Sequence, residues 1–109
     1  MKVKSRFYLS ADGVNLGDHL IAFTPEKECH GIYVGRCGVI SVKDGIVVAE
    51  ELLEFSCGSN INVYLQKSDF TAAEIVRRAE SQLGTVIAPM DDRCFCEWCL
   101  YGLLEVARK

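Results

Sequence analysis

The feature that most constrains this chain is a change of period at Thr71. Before it, apolar residues come in short runs bounded by turn-forming residues: "HLIAFT", "HGIYVG", "GVISV", "IVVAE" and "INVYLQ". "PEKE" separates the first two, and Pro25 cannot donate to a ladder. "KDG" between "GVISV" and "IVVAE" is a tight hairpin signal. An earlier strand is expected at "RFYLS" with a turn at "ADG", while "ELLEF" fits either element type. After Thr71, Ala72, Ile75, Val76, Ala79 and Leu83 recur at helical spacing. Thr71 and Glu74 form a capping-box pattern, and Gly84 is the expected stop. A second helix is predicted from about Arg93, with apolar residues around most of its circumference from Phe95 to Val106. A helix of that kind is usually buried. Strands first and helices later predict an α+β fold: an antiparallel meander or partial barrel packed against two to three helices.

The chain has 109 residues, room for a single domain spanning 1–109. Half of the residues are apolar, which allows a small core. Net charge is −3 with mixed signs, and Lys2, Lys4 and Arg6 read as a solvated strand face, so no nucleic-acid partner is expected. The N-terminus carries no signal-length apolar core, and "LYGLLEV" is far too short to span a bilayer. The expectation is a cytoplasmic protein with no integral membrane segment, whose six cysteines are reduced thiols.

The candidate chemistry lies in "MDDRCFCEWCLYG" and in two histidines. Cys96 and Cys99 share a helix face, while Cys94 and Cys96 diverge by about 200°. Zinc needs four convergent ligands, so Cys29 or His30 would have to complete the set, and zinc is disfavoured. "CEWC" sits inside the helix rather than at its start, where redox pairs are placed. Cys96 and Cys99 therefore read as small buried hydrophobes. Cys37 and Cys57 lie beside glycines in turns. Cys94 differs, because the first turn of a helix favours a thiolate. His30 stands at the mouth of a strand, and His19 opens an apolar strand with no evident partner.

Taken in order, "GDHLIAF", "HGIYVG", "GVIS", "LLEF", "FTAAEIVRRAESQLG" and Phe95, Trp98, Cys99, Tyr101 and Gly102 resemble the lecithin:retinol acyltransferase family. The likeness runs from about residue 17 to residue 102. It implies a circularly permuted papain-like fold and a cysteine–histidine pair that passes an acyl group through a thioester, with no cofactor. His30 would be the base and Cys94 the nucleophile. Ser41 would stand where the family has a second polar residue, often histidine, and could accept a hydrogen bond from an imidazole. Aligned without gaps from Phe95, however, the family's Asn-Cys falls on Asp91 and Asp92. That alignment leaves no thiol in the nucleophile's place. Three functions follow: a cysteine-dependent acyltransferase or hydrolase; a catalytically impaired domain that binds or regulates; and, as a minor option, a cysteine-based metal or redox module. The expected substrate or ligand is a small acyl ester, a lipid or a peptide.

Overall fold

A computed structural model describes residues 2–6, 13–65 and 67–102, with residues 2–6 and 65 described by backbone alone. Among the described residues six strands form one open antiparallel sheet: β1 (Lys2–Arg6), β2 (His19–Phe23), β3 (Glu28–Gly35), β4 (Gly38–Lys43), β5 (Ile46–Glu51) and β6 (Ile61–Leu65). Their order across the sheet is β1-β6-β2-β3-β4-β5. The expected meander is thus present from β2 to β5, and β6 returns to lie beside β2. β1 sits slightly before the expected "RFYLS" strand, and residues 7–12 lie outside the described residues. The ambiguous "ELLEF" is helical: α1 (Leu52–Ser56) begins after a capping box between Glu51 and Glu54.

Glycine meets two different needs in the sheet. Asp44 and Gly45 both have positive φ, 54° and 77°, as a two-residue hairpin turn that matches strand twist requires. At Gly31 the need is steric. A Cβ there would meet Val39 Cγ1 at 2.4 Å and Phe55 Cε1 at 3.0 Å, so glycine lets α1 and β4 close on β3.

Alternation along the strands gives the sheet two buried faces. Leu20, Ala22, Tyr33, Val39, Ile61 and Val63 point to one face, where Leu52 and Phe55 of α1 cover them. Ile32, Ile40, Val42 and Val47 belong to a second core with helices α2 (Ala72–Ser81) and α3 (Asp92–Tyr101). Ile75 and Ala79 of α2, and Phe95, Cys96, Cys99 and Leu100 of α3, supply the helical half of that core. Thr71 caps α2 as expected, its side chain accepting from the Glu74 amide while Glu74 reaches back. Helix α2 ends at Ser81, a few residues before Gly84, so Leu83 falls in a turn and is 45% exposed. The helical residues expected after Gly102 lie outside the described residues. Among the described residues no helix is long and apolar enough to cross a membrane.

Candidate functional site

The start of α3 is where the expected chemistry should assemble. Asp91 is its N-cap: Oδ1 accepts from the Cys94 amide at 2.8 Å. Asp92 is the first helical residue, and its Oδ2 accepts from the His30 amide at 2.9 Å. That amide lies just past the end of the β3–β4 ladder, whose outermost described pair is Gly31 with Ser41. Asp92 therefore replaces a strand partner and ties β3 to α3.

Cys94 is half-buried in the first turn. The helix N-terminus should favour its thiolate, but other influences outweigh it. Burial raises its pKa, and the Asp91 carboxylate beside it raises it further. Depressed pKa values belong instead to Asp91 itself, chiefly through the amide hydrogen bond it accepts from Cys94. Cys96 and Cys99 are sealed in the second core; burial pushes Cys96 well up and Cys99 to about 12. Both are inert as thiolates near neutral pH. All six cysteines are free thiols, and among the described residues no group of three His, Cys, Asp or Glu is placed to hold a metal.

His30 is only 2% exposed, and both of its ring nitrogens are engaged. Nε2 lies 2.6 Å from Glu28 Oε2, and Nδ1 lies 2.8 Å from His19 Nε2. A carboxylate can only accept, so Nε2 of His30 carries a hydrogen and donates to Glu28. In the neutral ring Nδ1 then accepts from the His19 Nε2–H. Tyr64 of β6 stands against both imidazoles, with ring centroids at 4.9 Å from His19 and 6.4 Å from His30. His19, which looked partnerless in the sequence, is thus half of a buried histidine pair.

Ser41 does not support this ring. It is the register partner of Gly31, so its side chain lies on the sheet face opposite His30. There it donates to Glu50 at 3.2 Å. Among the described residues no hydrogen bond joins His30 to either Cys94 or Ser41. Strand alternation thus parts Ser41 from His30, two of the three expected site residues.

A different set does converge. Ser41, Asp92, Cys29, Cys57, Lys43 and Glu50 line a cleft of ≈ 110 Å³. Glu50 is ion-paired with Lys43 there. Cys29 is held up by burial, with Lys27 opposing and the Asp92 charge reinforcing the rise. The cleft thus offers a carboxylate at the helix start, a hydroxyl and the Cys29 and Cys57 thiols, but no imidazole.

No family model matches this chain, and no curated protein does.

Glu28 was missed in the sequence, yet it left a signal. "E-x-H" within a strand puts Glu28 and His30 on one face by period two alone. Thr24 and Lys27 close a tight turn, with the Thr24 amide donating to the Lys27 carbonyl at 3.0 Å. That turn sets Phe23 opposite Glu28 and Ile21 opposite His30, which brings His19 diagonally onto the same face.

Proposed function

We propose that this chain is a lecithin:retinol acyltransferase-like domain, permuted papain-like in fold, that lacks thiol acyl transfer and works as a binding or regulatory module. One observation carries the reading. The α3 start presents carboxylates, with Asp92 directed at His30's strand, and burial together with the Asp91 carboxylate raises the pKa of the Cys94 thiol. Covalent catalysis needs a nucleophile within hydrogen-bond reach of its base. His30 spends both ring nitrogens on Glu28 and His19 instead. This favours the gap-free alignment, in which Asp92 occupies the nucleophile's place.

The binding surface in this reading is the cleft of Ser41, Asp92 and Cys29. At ≈ 110 Å³ it is well below the roughly 300–1,000 Å³ of a drug-sized ligand pocket, which suits a peptide side chain or a small polar group better than an acyl chain. The mixed lining of Lys43, Glu50 and Asp92 agrees with a polar ligand.

The test is intact-mass spectrometry after incubation with p-nitrophenyl acetate and with an acetyl thioester at neutral pH. The expected result is no stoichiometric acetyl adduct and no hydrolysis above background. An adduct mapped to Cys94 and lost in His30→Ala would overturn the reading and restore the enzyme.

A further inference from the structure

The fold sorts the six free thiols into different places. Cys96 and Cys99 lie in the second core, against the opposite face of the sheet from α1. Cys94 stands in the first turn of α3. Cys37 lies in the β3–β4 turn, at the far end of β3 from Cys29. Cys29 and Cys57, 28 positions apart in sequence, line one cleft together.

The seat of α1 on the sheet brings them there. Cys29 packs against the first core, on the face that Gly31 and Tyr33 share with it by period two. Glycine at 31 lets the Phe55 ring approach within 3.0 Å of where a Cβ would stand. Cys29 is two residues before Gly31 on β3, and Cys57 is two residues after Phe55. Phe55 lines the same cleft, so the end of α1 lies beside the start of β3. Cys57 closes α1 in the left-handed conformation, with φ 52°, and its thiol donates to the Glu54 carbonyl at 3.6 Å. The charge of Cys57 bears on Cys29, and both bear on Lys43 across the cleft. Cys57 is exposed, whereas Cys29 is half-buried. An oxidant therefore reaches Cys57 first, and Cys29 is the thiol placed to follow.

We propose that Cys29 and Cys57 are an oxidisable pair, which a hydroperoxide joins into a disulfide that pins the end of α1 to the start of β3. With hydrogen peroxide, the Cys57 thiolate attacks one oxygen. An S–O bond forms, the O–O bond breaks, and the departing hydroxide takes up the thiol's proton as water. The Cys29 sulfur then attacks the Cys57 sulfenic acid. The S–S bond forms, the S–O bond breaks, and hydroxide leaves with the Cys29 proton as a second water. Two thiols are oxidised and one peroxide is reduced to two waters. The pair depends on neither acyl chemistry nor a ligand in the cleft.

Native protein treated with hydrogen peroxide at neutral pH, then alkylated and mapped without reductant, tests this. The expected product is a Cys29–Cys57 linked peptide, two hydrogens lighter than its parts and released by dithiothreitol. Its rate of formation should not depend on protein concentration. A disulfide forms without backbone movement only where the Cα atoms lie within about 7 Å, so the bond also reads the seat of α1 on β3. Amide exchange over residues 53–57 should slow at least about fivefold on oxidation. Melting temperature should rise by at least about 5 °C, because the bond constrains the unfolded chain. Cys29→Ser should leave Cys57 as a sulfenic acid that dimedone labels. Cys57→Ser, at an exposed position, should fold and leave Cys29 alkylatable after peroxide. Oxidation of Cys57 to sulfinic acid with Cys29 still alkylatable would overturn the proposal. So would linkage to another cysteine or between molecules, or a Cys29–Cys57 bond that leaves exchange in α1 unchanged.

Discussion

Asp92→Ala tests how the strand and the helix are held together. The substitution removes the acceptor for the His30 amide, a 2.9 Å hydrogen bond to a carboxylate. His30 is nearly sealed, so its amide would be left with little access to water. Losing a hydrogen bond to a charged group costs about 1.5–3 kcal/mol. Asp92 is also the first residue of α3, where a negative charge against the helix N-terminus contributes about 0.3–1 kcal/mol. Asp92 lines the ≈ 110 Å³ cleft, from which water can partly replace the lost oxygen, so the low end of the first range applies. The expected loss is about 2 kcal/mol. For a domain of this size that is roughly 8–16 °C in melting temperature. Asp92→Asn keeps a carbonyl acceptor and forfeits the charge, so about 1 kcal/mol is expected. Urea unfolding at neutral pH, with m compared between variants, measures both. Amide exchange at His30 should accelerate in the alanine variant more than in the asparagine one. An alanine variant within about 0.5 kcal/mol of wild type, or one no worse than asparagine, would refute the account.

Asp91→Ala should cost about 1 kcal/mol at neutral pH through the lost cap. Because the folded-state pKa of Asp91 is depressed, that contribution is complete above its ordinary value of 3.8 and fades as pH falls through the lower folded value. Urea curves for wild type and variant should differ at pH 7 and converge in strong acid. Asp91→Asn should speed iodoacetamide labelling of Cys94 a few-fold at pH 8, since one cause of its raised pKa is removed while burial remains; unchanged labelling would refute the assigned partner. Phe95→Ala, at a side chain only 1% exposed in the second core, should cost about 3–5 kcal/mol in the same assay. Arg78 lies over the Phe70 and Trp98 rings at 4.7 and 4.0 Å and donates to the Trp98 carbonyl. Arg78→Lys keeps the charge but loses the planar stack, so a shift in Trp98 fluorescence and a loss of about 1 kcal/mol are expected.

Most of the fold was legible because its signals are local. The apolar runs "HLIAF", "GVISV" and "IVVAE", the Asp44–Gly45 turn and the Thr71–Glu74 box each depend on neighbours within a few residues. "ELLEF" resisted because five residues carry too little period to separate strand from helix; the capping box at Glu51 and Glu54 decides it. The site was less legible. Cys94 was correctly placed in the first turn of a helix, but the direction of its pKa shift depends on burial and on Asp91, and helix position reveals neither.

By itself, the order of residues determined which segments are strands and helices, where the hairpins turn and which helical faces are apolar. Only the tertiary structure decided that His30 meets His19 and Glu28, that Ser41 faces the other way with Asp92 and Cys29 beside its cleft, and that Asp92 bridges β3 to α3. The physical reason is range. Propensity and periodicity act over a few residues, whereas the Asp92–His30 contact joins groups 62 positions apart. Strand register sets which side chains share a face, and one residue's difference, as between Cys29 and His30, sends neighbours to opposite sides of the sheet.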